Sequence, residues 1–418
     1  MLNKKSLNTS NLLFINQVIV SGVNFSIAII LSRIFGPELF GDYSLLWLVP
    51  LFLISIQQSI ITSPLYSIGV KFKHKKQNQY ISFLFLFLIL SLVVYFLVTC
   101  IIFYLLVEYN LFTNLHNYIL VIFICSCCYL LQDFCKRVLV YKNEFLKSLL
   151  VDSIAYVPYL MIVFYSYLNE ELSIYRVLKI FSISFLISSI IGILFIKVKK
   201  INYTFFIKSF NELINYSKWL LLSNLIQLGS GNYFLVLTAS LLGSSALGGL
   251  RIIQTAFGLF NIIFAALDNI FPLRFSVLYS SRKTTELVSL IKKILVIGIF
   301  ALIIILLIYP LVIQILTYIV GHDYSEYTDL YVWFAFITFF IYVNKILSYL
   351  LRSIDFTFPI LISYSLNFLF SFFFASNLIN SLGLDGTGLG MLLLQINIVL
   401  IITFFLYLKK HDSTHYFR

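Results

Sequence analysis

Apolar residues in this chain come in long, unbroken stretches rather than in alternation. The runs lie near residues 12–32, 43–66, 80–106, 118–141, 148–168, 177–196, 213–242, 248–272, 288–310, 330–351, 357–379 and 388–408. A helix of about 20 apolar residues bridges the hydrocarbon core of a bilayer. Backbone in lipid must satisfy its own hydrogen bonds, and runs without a two-residue period do not suit strands. The pattern predicts an all-α polytopic membrane protein with twelve transmembrane helices. Several runs exceed the minimum length, which predicts tilt or interfacial ends. Lys4 and Lys5 precede the first run as in a signal peptide. That run is too long, contains Asn16, Gln17 and Asn24, and is followed by no small-residue cleavage site, so it reads as a retained first helix.

Charge orients this map. Hydrophobic residues make up 61% of the chain and charged residues 11%, against about one quarter charged in a soluble domain. Twenty-five of the 29 Lys and Arg residues fall on one side of the twelve-crossing map; Arg33, Arg176, Lys179 and Arg251 fall on the other. Inner loops of membrane proteins carry such an excess, which places both termini in the cytoplasm. The net charge of +12 suits membrane lipids with anionic headgroups at that face and requires no nucleic acid.

The two halves of the chain repeat. Asn16, Asn24 and Ser32 match Asn224, Asn232 and Ser240 at an offset of 208 residues. The turn from Gly36 to Gly41 matches the turn from Gly243 to Gly248 at an offset of 207, and residues 137–141 match 345–349 at 208. Each half holds six crossings, so the repeats share orientation. The expectation is two six-helix bundles, residues 1–196 and 213–418, related by a pseudo-twofold along the membrane normal. Residues 197–212 read as a basic, amphipathic cytoplasmic connector.

Polar residues inside membrane runs are costly in lipid, so they should face an interior or a water-filled cavity. On the eighth run Arg251, Gln254, Gly258, Asn261, Ala265 and Asp268 fall on one stripe about 100° wide. Gln17, Ser21, Asn24, Ala28 and Ser32 form a similar stripe on the first run, Asn224, Gln227, Gly231 and Thr238 on the seventh, and Ser363, Asn367 and Ser371 on the eleventh. Helix packing explains small and polar residues, but a stripe bearing both an Arg and an Asp points to a hydrophilic cavity. The second run adds Gln58. Arg33 and Arg251 sit at equivalent turns, as snorkelling side chains or as a cationic collar for an anionic ligand.

Asp133 and Arg137 are spaced for a helical ion pair. Lys136, Lys218 and Lys345 read as snorkelling into headgroups. Asp268 and Asp152 are the candidates for coupling to H+ or Na+, each a carboxylate without an evident partner. Gly36, Pro37, Gly41 and Gly248 are candidate hinges. Cys125, Cys127, Cys128 and Cys135 share one run without a nearby His and read as small core residues rather than zinc ligands. No nucleotide-binding P-loop, zinc-protease motif or nucleophile elbow occurs; no catalytic residue, metal or cofactor is expected.

The stretch LSRIFGPELFGDYSLLW at 31–47 resembles the first-turn signature of bacterial polysaccharide exporters, R-x-x-G-P-x-x-F-G-x-Y, carried by Arg33, Gly36, Pro37, Phe40, Gly41 and Tyr43. Leu247-Gly248-Gly249-Leu250 resembles a second signature, with Leu250 in place of its aromatic, and Pro272 also fits. The resemblance is to Wzx-type O-antigen or capsule flippases of the multidrug/oligosaccharidyl-lipid/polysaccharide exporter (MOP) superfamily, and it covers the chain. It implies alternating access and movement of an undecaprenyl-diphosphate-linked oligosaccharide across the bacterial inner membrane, with cavity cations, Arg33 and Arg251, holding the diphosphate or acidic sugars. Lipopolysaccharide or capsule assembly would follow, with polymerase and chain-length proteins of the same pathway as partners. A drug/cation antiporter of the same fold is an alternative, although the first run lacks any acid. A polysaccharide polymerase would want a large outer loop, and all outer loops here are short. The polar stripes and duplicated halves argue against a structural scaffold.

Overall fold

The structure is a computed structural model and describes residues 4–72, 74–108, 117–196, 198, 203–354, 356 and 358–412. Among these residues every regular element is helical. In chain order they are α1 Lys4–Gln57, a π-helical turn Gln58–Thr62, α2 Ser63–Ser67, a 3-10 turn Gly69–Lys71, α3 His74–Glu108, α4 Ile119–Tyr141, α5 Phe145–Leu168, α6 Ile174–Ile196, α7 Tyr203–Leu242, α8 Ser244–Gly258, α9 Phe260–Ser280, α10 Thr284–Leu307, α11 Tyr309–Val320, a 3-10 segment His322–Tyr327, α12 Leu330–Ser353 and α13 Phe358–Asp412.

Nine of the described helical segments are long and apolar enough to cross a membrane. Two of them are too long for a single crossing. The segment Phe14–Lys71 has 58 residues and Phe358–Lys409 has 52; at 1.5 Å per residue a straight helix of that length would run roughly 80 Å, far beyond a hydrocarbon core of about 30 Å. Each is broken by a glycine in a conformation L side chains avoid: Gly36 at φ 65 in α1 and Gly383 at φ 61 in α13. The breaks fall between the first and second predicted runs and between the eleventh and twelfth. The eighth predicted run is covered by α8 and α9, which meet at Leu259.

The lipid-facing elements are recognisable by exposure. The apolar window of α10 is only 11% buried, whereas those of α4 and α6 are 56% buried. Leu307, Ile297 and Phe300 stand outward on α10, which is costly in water and neutral in hydrocarbon.

The chain divides into two compact units, Met1–Ile34 with Asp42–Leu225, and Phe35–Gly41 with Ile226–Arg418. In the first, α4, α5 and α6 form the core. Phe181 and Phe185 stack at 3.7 Å, and Trp47 meets Phe181 edge-on at 4.9 Å. Gly192 lets α6 close onto Cys135, where a Cβ would collide. All five cysteines are free, and Cys125 and Cys135 are fully buried. The described part of the expected connector, residues 203–212, is the start of α7 rather than a separate piece. Its Phe205, Phe206 and Phe210 pack rings against Phe72, Phe83 and Phe87, so the segment gains a tertiary seat that continues the helix.

In the second unit α12 is central. Ile346 and Tyr349 join Phe275 of α9 and Leu287 and Ile294 of α10 in one cluster. Leu347 and Leu351 join Ile398 and Ile402 of α13 in another.

Candidate functional site

The most deeply buried charge among the described residues lies in the first unit. Asp152 of α5 is fully buried, and three donors converge on it. The Lys136 ammonium sits 2.6 Å from Oδ2, Asn16 Nδ2 donates to Oδ2 at 2.6 Å, and Gln132 Nε2 donates to Oδ1 at 2.6 Å. Gln132 and Lys136 stand one turn apart on α4, so one helix face delivers both. Burying a carboxylate is expensive unless it is paired and hydrogen-bonded, and this one is both. Asp152 was expected to lack an evident partner and Lys136 to snorkel; the structure corrects both, because α4 and α5 are packed closely enough for the ammonium to turn inward.

Next to it, Asp133 and Arg137 form the ion pair their spacing predicts, at 3.2 Å. Gln57, fully buried at the end of α1, donates to the Leu130 carbonyl at 3.1 Å and to Asp133 at 3.4 Å. Asn16 Oδ1 and Gln57 Oε1 remain buried acceptors without a partner among the described residues.

The second unit carries its own acid–base pair. Lys345 of α12 meets both oxygens of Asp268 of α9, at 3.0 and 2.8 Å. The Tyr349 hydroxyl donates to Asp268 Oδ1, and the Lys345 ammonium lies 5.7 Å above the Phe264 ring. Here too a carboxylate expected alone is partnered, and a lysine expected to snorkel is not. This pair is open: Asp268 is 47% exposed and Lys345 30%.

The remaining predicted residues are distributed as follows. Arg251 is half-buried and donates from Nη1 to Gln254 Oε1 at 2.8 Å, while its buried Nε has no partner among the described residues. Gln227 is exposed and donates to the Tyr364 hydroxyl at 3.2 Å. Asn224 donates to Ser59 in the π-helical turn at 2.6 Å, beside the half-buried Gln58. Gln17 donates to Ser21 at 3.1 Å; Asn24 and Arg33 are exposed. Asn367 is buried and donates to the Leu394 carbonyl at 2.9 Å, so it ties the two parts of α13 together and does not line open space. The Asn261 side chain lies outside the described residues.

Among the candidate hinge residues, Gly36 takes the positive φ its turn requires. Gly41 and Gly248 serve a different end. A Cβ on Gly41 would collide with the Ser244 carbonyl, and a Cβ on Gly248 with the Pro37 carbonyl. The turn after Gly36 and the first turn of α8 thus touch backbone to backbone, which only glycine permits.

Sequence reasoning missed Asn16, Gln57 and Gln132 as partners of the buried acids. A signal existed for one of them, since Gln132 precedes Lys136 by four residues. Among the described residues no group of three or more His, Cys, Asp or Glu side chains is placed to hold a metal ion.

No family model and no curated protein matches the chain. Solved structures do. A multidrug resistance MATE family transporter of the MOP superfamily, in an inward-facing conformation, is 12% identical with a TM-score of 0.74 over 96% of each chain. The lipid II flippase MurJ, in an inward closed conformation, is 14% identical with a TM-score of 0.74 over 96% of this chain and 88% of its own. A MOP superfamily transporter from Pyrococcus furiosus, described as having a binding pocket of reverse polarity, is 13% identical with a TM-score of 0.64 over 95% of this chain and 94% of its own. At such identity the likeness is one of fold. The chain has an all-α, multi-pass membrane fold resembling that of MOP-superfamily transporters.

Proposed function

We propose that this protein is a Wzx-type flippase that carries an undecaprenyl-diphosphate-linked oligosaccharide, an O-antigen or capsule repeat unit, from the inner to the outer leaflet of a bacterial cytoplasmic membrane by alternating access. The observation that carries the reading is Arg251. A guanidinium in a membrane run is costly, and this one is held against Gln254 at 2.8 Å. Arg33, one residue from the end of the first predicted run and inside the exporter-like motif, supplies the second cation. A diphosphate is matched by guanidinium forks, and hydroxyl-rich sugars by amides such as Asn24, Gln58, Gln227 and Asn261. The polyprenyl tail can stay in lipid while the headgroup passes through a hydrophilic cavity lined by helices bearing these residues.

The finer architecture belongs to the same reading. It has twelve crossings in two six-helix bundles, residues 1–196 and 213–418, with a pseudo-twofold along the membrane normal and both termini cytoplasmic; the link at 197–212 runs into α7, which begins at Tyr203. The coupling site is assigned to Asp152. Its carboxylate alternates between Lys136 and a proton or Na+, beside Asn16, which donates to it and whose Oδ1 is a buried acceptor without a partner among the described residues.

Deleting the chain in a polysaccharide-producing host and complementing it with wild type or with Arg33→Ala plus Arg251→Ala tests this. Wild type is expected to restore surface polysaccharide and the double variant to restore none at equal abundance. A drug/cation antiporter is the second reading, favoured by the fold shared with the MATE transporter. It expects drug sensitivity to change on deletion while surface polysaccharide does not.

A further inference from the structure

Residues 137 and 345 occupy the same place in the repeat, and both are cations, yet the two are held in opposite ways. Arg137 takes its carboxylate from its own helix one turn earlier, and Asp133 is only 10% exposed. Gln57 adds a further donor to the same acid. The Lys345 ammonium instead meets Asp268 from a separate helix, and that acid is 47% exposed. Asp268 is therefore accessible where Asp133 is not, and a ligand with stronger acceptor oxygens can take the carboxylate's place beside Lys345.

What surrounds the pair fits a tetrahedral anion. Asp268 accepts from an ammonium on both oxygens and from the Tyr349 phenol on one. Phosphate oxygens accept from the same donors. Arg352 follows Tyr349 by three residues on the same face of α12 and is exposed. Lys345, Arg352 and Asp268 together carry one net positive charge, and two once Asp268 is displaced. Asp268 is the acid placed to neutralise the site when no ligand is bound.

We propose that Lys345, Tyr349 and Arg352 form a phosphate- or diphosphate-binding site in the second unit, and that the Asp268 carboxylate occupies it until such a group displaces it. The inference rests on the flippase reading only for the source of the anion, a polyprenyl diphosphate arriving from the side that reading makes cytoplasmic. It gives Asp268 the role of a built-in competitor and leaves ion coupling to Asp152.

Full-length protein in nanodiscs, titrated with undecaprenyl diphosphate and separately with inorganic pyrophosphate, tests it. Asp268→Asn is expected to tighten binding about three- to fivefold, the strength of an exposed ion pair. Lys345→Gln and Arg352→Gln are expected to weaken it roughly tenfold, as losing a charged hydrogen bond does. Tyr349→Phe keeps the carboxylate and removes one phosphate donor, so it is expected to weaken binding too, and it serves if Asp268→Asn does not fold. A lipid source gives stronger binding of undecaprenyl diphosphate than of pyrophosphate; equal binding assigns the site to a soluble phosphate. Unchanged affinity in the Lys345, Tyr349 and Arg352 variants, or no tightening in a folded Asp268→Asn protein, overturns the site and makes the pair a plain clamp between α9 and α12. If these variants bind as wild type while flipping persists, the site fails and the flippase reading stands. If binding shifts as expected but no lipid is flipped, the site stands and that reading fails.

Discussion

The two units place an acid against a lysine in contrasting surroundings. In the first, Asp152 is fully buried and fixed by Lys136, Asn16 and Gln132. In the second, Asp268 is nearly half exposed and fixed by Lys345 and Tyr349. Chemistry that looks alike on paper therefore has unlike energetics. Breaking the buried pair leaves the Asp152 carboxylate out of reach of solvent with only Asn16 and Gln132 as donors, whereas Asp268 is accessible with or without its lysine. The first arrangement suits a group that changes state only when a cation takes over, and the second suits a group that gives way to a ligand.

The sharpest way to break this comparison is Lys136→Ala against Lys345→Ala. The first should destabilise the folded protein by about 3–5 kcal/mol and the second by less than about 1 kcal/mol, read by thermal unfolding in detergent. Equal losses would erase the distinction. An intermediate effect is expected from Gly41→Ala or Gly248→Ala. Each puts a methyl group into a backbone carbonyl of the facing turn, and overpacking of this kind costs about 1–3 kcal/mol. Because the contact is backbone to backbone, the two variants should behave alike; a stable Gly248→Ala protein would mean that the turns move apart freely. The smallest effect is expected at Gln227→Ala, under about 0.5 kcal/mol, since that side chain is exposed and surface changes are usually mild. A strong loss of transport with that stability intact would place Gln227 on the substrate path.

Much of the fold was legible because lipid leaves few choices. Unbroken apolar runs had to be helices, and Gly36-Pro37 had to interrupt the first long one. The Asp133–Arg137 pair was legible too, since both members lie on one helix four residues apart. The partners of Asp152 were not, because Asn16 stands 136 residues away and Gln132 20 residues away; only packing brings them together. Lys136 and Lys345 looked like headgroup anchors for the same reason, as a lysine near a helix end reveals nothing about the acid on the next helix. Gly41 and Gly248 read as hinges, and their true constraint, a facing carbonyl, comes from chain some 200 residues distant. Asn367 misled in the opposite direction: its stripe suggested an open cavity, and the Leu394 carbonyl fills its donor.

Transport itself is tested most directly in proteoliposomes holding a fluorescent undecaprenyl-diphosphate-linked oligosaccharide in the leaflet that corresponds to the cytoplasmic side. Wild-type protein should speed its appearance in the opposite leaflet, and Arg33→Ala with Arg251→Ala should slow that rate by roughly tenfold or more, the loss of at least one charged hydrogen bond. A double variant that moves the lipid at the wild-type rate, reconstituted at equal density, would contradict the account.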